Sequence, residues 1–483
     1  MKKFIGRKDE LKRLEGLRRS NKASLVVING RRRIGKSRLV EEYAKNKVFL
    51  PFTGLAPIQH LSAQDQRDAF ARQLATHFKL PPLTFVDWSD AFAHLMLHLT
   101  DHPTVILFDE ISWMGAKDPT FLPKLKVWWD LNLQKYPHVM LILCGSVSTW
   151  IEENIIQSTA FFGRISLHLT LGELSLSEST LFLKEEGFHP SAYDIFKVLS
   201  VTGGVPWYLE QVDSSETADA NIKRLCFDKN GLLVKEFDLI FHDLFSRRGT
   251  IYKKITHILS EGMRDLTQIR REVNYPSSGS LSDHLKALII SGYVTQHYTW
   301  SLKTGKIGRQ SLYRLSDNYI RFYIKYIEPN LPKILKNTYN DLSLNELPGW
   351  EAMMGFQVET LLLANRHMIL KSLGLYPQDI VADNPYFQRK TERQRGCQID
   401  YLIQTHTNSL FVCEFKFSRR EINSEVIESV QNKIKRFSVS RGFGVCPVLF
   451  HLGGVSDAVH NSRYFYRVID IADFLEGKVQ SSD

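Results

Sequence analysis

Along the first third of the chain, short unbroken apolar runs alternate with stretches whose apolar residues recur every three or four positions. Leu25–Ile28, Val105–Phe108 and Val139–Cys144 are the runs, and Leu39, Val40 and Tyr43 carry the helical spacing after the first of them. Side chains along a strand point alternately to opposite faces, so an unbroken apolar run of strand length predicts a strand buried on both faces. Strand and helix in alternation predict a doubly wound parallel α/β sheet.

From about Arg248 the pattern becomes helical. Ile251, Ile255, Ile258 and Leu259 share one helix face, and Leu266–Val273 repeats the spacing. A turn at Pro276-Ser-Ser-Gly279 precedes a third helix over Ser280–Gly292, with Ser280 and Asp283 spaced as a capping box. Two strands follow, Tyr293–Tyr298 and Gln310–Leu315, around a Gly/Lys-rich turn at Lys303–Gly308. Helix, helix, helix, hairpin is the order of a winged helix. Its candidate nucleic-acid contacts are His284, Lys286, Lys303, Lys306 and Arg309; the alternative is a module that only docks other domains.

In the C-terminal third, Phe411–Phe417 alternates strictly. Phe411, Cys413, Phe415 and Phe417 share one face, and Val412, Glu414 and Lys416 share the other. A partner strand, Gln398–Ile403, carries Asp400 among apolar residues. Carboxylates on buried strands are costly unless paired or metal-bound. Asp400 and Glu414 are therefore candidate magnesium ligands, with Lys416 beside them to orient water or neutralise a phosphate. A structural ion pair is the alternative.

Composition adds bounds. At 483 residues the chain exceeds a single hydrophobic core. Its 43% hydrophobic and 24% charged content is that of a soluble globular protein. No apolar run is long enough for a membrane helix, and the basic N-terminus lacks the apolar core of a signal peptide, so a cytoplasmic location is expected. Five scattered cysteines without a Cys-x-x-Cys pair argue against zinc and disulfide frameworks. The net charge of +10 points to a polyanionic partner such as DNA, although basic proteins without a nucleic-acid partner are common.

The sharpest chemistry lies in Gly30-Arg31-Arg32-Arg33-Ile34-Gly35-Lys36-Ser37, between a predicted strand and a predicted helix. Such a loop curls its backbone N–H groups around phosphates at the positive end of the helix. Lys36 is expected to reach the β- and γ-phosphates of ATP, and Ser37 to ligate magnesium. Asp109 and Glu110 end the strand Thr104–Phe108, the first to hold the magnesium shell and the second to polarise water. Ser146, ending the strand Val139–Cys144, is a candidate γ-phosphate sensor or a plain turn serine.

Phe4-Ile5-Gly6-Arg7 with Glu10-Leu11, the P-loop, Asp109-Glu110, Gly145-Ser146, Phe162-Gly163-Arg164 and Gly203-Gly204-Val205-Pro206 occur in that order. Together they resemble the archaeal-type ATPases, a STAND-like branch of P-loop ATPases related to AAA+ proteins. The resemblance implies an AAA-like sheet of order 5-1-4-3-2, with Ile5, Gly6, Arg7 and Pro206 flanking the adenine. It also implies that Arg164 is an arginine finger or sensor, acting in a homo-oligomer if it works across a subunit boundary. A structural salt bridge is the open alternative for Arg164.

Leu315–Phe322 resembles the segment that closes the winged helix in this family. Asp400 and Glu414-x-Lys416 resemble the PD-(D/E)XK nucleases, a restriction-endonuclease-like α/β fold, although Ile399 replaces the usual proline. In that fold Glu359 is a possible further metal ligand, and Gln431 the polar residue on the following helix. The expected layout is a P-loop ATPase with helical lid over 1–225, a winged helix over 226–335 and a nuclease-like domain over 336–483. The expected function is an ATP-controlled, magnesium-dependent DNA-processing nuclease; the alternative is an ATP-switched DNA-binding or signalling regulator with a silent nuclease-like domain.

Overall fold

The computed structural model describes residues 3–478, apart from 57–59, 116, 147, 246–248, 277–279, 340–342, 389, 391, 393, 394 and 438–441. Most of the turn expected at Pro276–Gly279 thus lies outside the described residues. The chain forms two compact units, Met1–Glu173 with Ile290–Gly292, and Leu174–Ile289 with Tyr293–Asp483.

The first unit is built on five strands: β1 (Ser24–Asn29), β2 (Val48–Thr53), β3 (Thr104–Asp109), β4 (Val139–Gly145) and β5 (Ile165–Thr170). Their order is β2-β3-β4-β1-β5, with every pair parallel, which is the expected 5-1-4-3-2 arrangement. Alternation sorts the apolar runs between two cores. Leu25, Val27, Ile106, Phe108, Leu141 and Leu143 face one, and Val26, Ile28, Val105, Leu107, Ile142 and Cys144 face the other. Helices cover both faces, Phe70, Trp88, Phe92 and Trp128 on one side and Leu14, Leu39 and Val40 on the other. Pro51 sits in β2, at the sheet edge, where a missing backbone donor is tolerated. The C-terminal ends of β3, β4 and β1 are adjacent, and that edge is where an open α/β sheet holds its ligand.

In the second unit, the helix Gly249–Ser260 is followed by β6 (Arg264–Asp265), the helices Leu266–Glu272 and Leu281–Ile290, and a hairpin of β7 (Val294–Trp300) and β8 (Ile307–Leu315). The three strands form an antiparallel sheet of order β6-β8-β7. Five further strands follow: β9 (Ile380–Gln388), β10 (Cys397–Thr405), β11 (Ser409–Phe417), β12 (Gly444–Leu452) and β13 (Arg467–Asp470). They make a mixed sheet of order β13-β12-β11-β10-β9, antiparallel at β9, β10 and β11 and parallel from β11 to β13.

The hairpin packs on this sheet. Trp300 Nε1 donates to Gln404 Oε1 at 2.7 Å, Gln404 Nε2 donates to the Leu302 carbonyl at 2.9 Å, and His297 lies 3.2 Å from Asn384. At the hairpin turn Gly305 has φ +66°, and a Cβ there would stand 2.7 Å from Val381, so glycine is required twice over. The helix Trp350–Ala364 is the junction of the unit. Gln357 Nε2 donates to the Ser200 and Asn318 carbonyls at 2.7 Å each, and its Oε1 accepts from the fully buried Arg321. Arg321 and Arg314 both lie over the Phe356 ring, at 4.5 and 4.4 Å, a desolvated use of guanidinium that a lysine point charge serves poorly.

Candidate active sites

The loop after β1 enters its helix, Lys36–Ala44, through left-handed backbone at Arg33 (φ 68°) and Gly35 (φ 89°). Gly30 has no room for a side chain, since a Cβ would come within 2.5 Å of the Leu171 carbonyl. Lys36 is 6% exposed, and its ammonium donates to the carbonyls of Gly30 (3.0 Å) and Arg31 (3.1 Å), folded back over the loop. Burial lowers its pKa, and the Glu110 carboxylate opposes that shift. Ser37 Oγ donates to Asp109 Oδ2 at 2.5 Å, which joins the two expected magnesium ligands.

Glu110 sits in left-handed backbone (φ 50°, ψ 50°) at the start of the helix Ile111–Met114. Strain of this kind, on the order of 1–3 kcal/mol, persists where the surroundings fix a side chain's direction. Here the fixing partner is Ser146, whose N–H (3.0 Å) and Oγ (2.8 Å) both donate to Glu110 Oε2. The Arg7 guanidinium donates to the Gly172 and Ile34 carbonyls and meets Glu10, tying the Ile5–Arg7 segment to the P-loop. Arg31 pairs with Glu173 at 2.5 Å, and Arg32 is exposed. Pro206 opens the short helix Pro206–Leu209 of the second unit.

Arg164 is held by Asp130. Its Nε and Nη2 bond the two carboxylate oxygens at 2.6 and 2.8 Å, and Lys126 adds a third contact. These bonds, Arg164's first, hold the Asp130 pKa down to about 2. A depressed carboxylate contributes its stability above roughly pH 4 and loses it as the pH falls through the folded value, so the pair stays intact near neutrality.

The second constellation lies on β10 and β11. Asp400 Oδ2 accepts the Phe415 N–H at 3.0 Å across the strand pair. Glu414 is 2% exposed, and its Oε1 pairs with Lys416 at 2.9 Å. Lys433, on the helix Glu425–Arg436, bridges the acids, 2.5 Å from Glu414 Oε2 and 3.4 Å from Asp400 Oδ1. Burial, then the Glu414 charge, pushes the Asp400 pKa up to about 6. The two carboxylates therefore lie within reach of one cation, with Lys416 beside them.

Glu359 is paired with Arg314 of β8 at 2.5 Å, and its charge adds to the upward push on Asp400. Gln431 is half-buried on the helix of Lys433. Among the described residues, no group of three or more His, Cys, Asp or Glu side chains is arranged to hold a metal ion. Lys433 escaped the sequence reading, yet it left a signal: it continues the buried Val426, Val430 stripe of its helix, where an apolar residue is expected.

His284 corrects the expected nucleic-acid surface. It is 8% exposed, edge-on to Tyr252 and 3.1 Å from the Tyr275 hydroxyl, so it cannot meet a phosphate or a base. The helix pattern around it places the ring inward, beside Leu281, Leu285 and Leu288. Lys286, Lys303, Lys306 and Arg309 are exposed.

Residues 4–212 match the model of a family described as an ATPase domain predominantly from Archaea. The segment is an ATPase domain. It binds and hydrolyses ATP, and the P-loop, Asp109 and Glu110 all fall within it. The uncharacterized protein MJECL04 of Methanocaldococcus jannaschii is 28% identical over 345 residues, covering 70% of this chain and 72% of its own. The uncharacterized ATP-binding protein MJ0423 of the same organism is 46% identical over 44 residues, which is 9% of this chain and 75% of that protein. Among solved structures, the Walker-type ATPase of Pyrococcus abyssi aligns with a TM-score of 0.47 at 17% identity, covering 66% of this chain and 96% of its own. The Aeropyrum pernix ORC2 protein aligns with a TM-score of 0.41 at 13% identity, covering 69% and 95%. Among the described residues no helix is long and apolar enough to cross a membrane.

In the ATPase domain, the Asp130 pair gives a direct test of Arg164. Asp130→Asn and Arg164→Ala should each leave the unfolding midpoint nearly unchanged, as expected for a solvent-screened pair. Both should keep ATP turnover within about twofold of the parent. Loss of turnover confined to Arg164→Ala would instead assign the guanidinium to a phosphate, and rescue by mixing with Lys36→Ala protein would place that phosphate in a neighbouring subunit.

Proposed function

We propose that this protein is a magnesium-dependent ATPase whose nucleotide cycle controls cleavage of DNA by its C-terminal sheet. The observation that carries the reading is the convergence of Asp400 and Glu414 on one point, with Lys416 against Glu414. The layout read from the sequence stands with it: ATPase with lid over 1–225, winged helix over 226–335, nuclease-like domain over 336–483. The order of helix, short strand, two helices and hairpin supports the middle assignment.

In the ATPase domain the hydroxyl–carboxylate pair Ser37–Asp109 is a donor set suited to magnesium, and those two residues would hold it. Bound there, magnesium neutralises charge on the β- and γ-phosphates. Lys36 leaves the loop carbonyls for phosphate oxygens. Glu110 orients the attacking water and takes up its proton, while Ser146 fixes the carboxylate's direction. Ile5, Gly6 and Arg7 flank the adenine.

In the C-terminal sheet, Asp400 and Glu414 would hold a divalent ion, which when bound lowers the pKa of water and polarises the scissile phosphate. Lys416 supplies positive charge where the transition state gathers negative charge. The test is incubation of the full chain with linear and circular DNA and with RNA, with and without ATP and magnesium. DNA products that require magnesium and respond to ATP are expected. Products from RNA alone would change the substrate class. DNA binding without cleavage would overturn the reading in favour of the ATP-switched regulator, which the Lys433 ammonium between the carboxylates already favours as second choice.

Binding to DNA is expected to weaken steeply with salt. Each phosphate contact contributes roughly 0.9 to the logarithmic slope on duplex DNA. Replacing Lys286, Lys303, Lys306 and Arg309 together by glutamine should flatten the slope, measured by fluorescence anisotropy. An unchanged slope and affinity would mean that the hairpin module only docks.

A further inference from the structure

We infer that the Lys433 ammonium is a built-in cation occupying the seat between Asp400 and Glu414, and that a divalent ion enters this seat only by displacing it. The inference rests on reading those two carboxylates as a metal-ligating pair.

All four carboxylate oxygens are engaged by the chain itself. Asp400 Oδ1 and Glu414 Oε2 share Lys433, Asp400 Oδ2 takes the Phe415 N–H, and Glu414 Oε1 takes Lys416. Two ammonium groups already balance two carboxylates. A divalent ion added to that set meets two like charges at close range, in surroundings that screen them poorly because Glu414 is buried. Glu359 cannot strengthen the seat while Arg314 holds it.

Lys433 is suited to leave. Its Cα lies on the buried stripe of its helix, but its side chain is 27% exposed, more than that of either carboxylate. A four-carbon stem lets the ammonium swing to water without moving the helix. Lys416 cannot substitute for it, since Lys416 bonds only the outer oxygen of Glu414.

The test is manganese binding to the nucleotide-free full chain, followed by the electron-spin resonance of the free ion. Lys433→Met and Lys433→Gln are compared with the parent and with the same changes combined with Asp400→Asn. Each single variant should bind one further manganese per chain, roughly tenfold or more tighter than the parent does at this seat. That site should vanish with Asp400→Asn, so any manganese at the P-loop cancels from the comparison. Manganese should also raise the unfolding midpoint of the variants by more than that of the parent. Lys433→Gln keeps a hydrogen-bond donor, so it guards against a methionine variant that fails to fold. Equal binding by parent and variants, or an extra site that survives Asp400→Asn, would overturn the inference. A new manganese site without DNA cleavage would uphold it while removing the cleavage reading.

Discussion

Replacing Lys36 by alanine is expected to abolish ATP turnover and most nucleotide binding. The ammonium is buried, and its hydrogen bonds go to the Gly30 and Arg31 carbonyls. It is therefore already desolvated and already directed at the loop, and exchanging carbonyl for phosphate oxygens adds charge attraction at little ordering cost. Removing one such preorganised charge costs roughly 10²–10³ in rate, and the loss of nucleotide binding adds to it, which takes turnover to background. Glu110→Gln should act differently. Glutamine can still accept from Ser146, and the Ser37–Asp109 pair is untouched, so ATP binding should persist while turnover falls by roughly 10²–10⁴, the range for loss of a general base. Isothermal titration separates the cases: Lys36→Ala should show little heat with ATP, and Glu110→Gln a near-parental affinity. Because burial lowers the Lys36 pKa, nucleotide affinity should decline with rising pH earlier than an ordinary lysine would dictate. Normal turnover by either variant would remove the assignment.

Asp400→Asn is expected to end magnesium-dependent DNA cleavage, and Lys416→Ala to reduce it by roughly 10²-fold or more. ATP hydrolysis should continue in both, because the P-loop, Asp109 and Glu110 belong to the other compact unit. Asparagine keeps the Phe415 N–H bond to its side-chain oxygen, so the change removes charge rather than shape. Glu359→Gln should mainly lower stability. It removes the charge opposite Arg314, whose side chain is 3% exposed. An amide oxygen can still accept and Thr360 still bonds the guanidinium, so the loss should fall below the roughly 3–5 kcal/mol of a fully broken buried pair. Parallel denaturation curves and gel assays separate the outcomes: cleavage lost at parental stability for Asp400→Asn, stability lost first for Glu359→Gln. Parental cleavage by Asp400→Asn would place the chemistry elsewhere.

What the sequence determined by itself is local. The strands and the candidate ATPase site follow from contiguous stretches: an apolar run, a glycine loop with Lys36 and Ser37, and an apolar run ending in Asp109-Glu110; the strand order came only with the family resemblance. Each motif sets its own backbone path, and strand alternation then leaves little choice of layering. Strands β10 and β11 were legible for the same reason, since charges interrupt their apolar pattern at Asp400, Glu414 and Lys416.

Tertiary structure decided which charges meet. Lys433 reaches Asp400 across 33 positions of chain, Arg314 reaches Glu359 across 45, and Arg164 reaches Asp130 across 34. No spacing rule encodes such pairs, because an ion pair constrains the distance between two side-chain tips and leaves the intervening chain free. His284 was misread for a related reason. A polar residue between leucines satisfies the pattern of a helix surface and of a helix core alike, and only the packing of Tyr252 and Tyr275 around the ring places it inside.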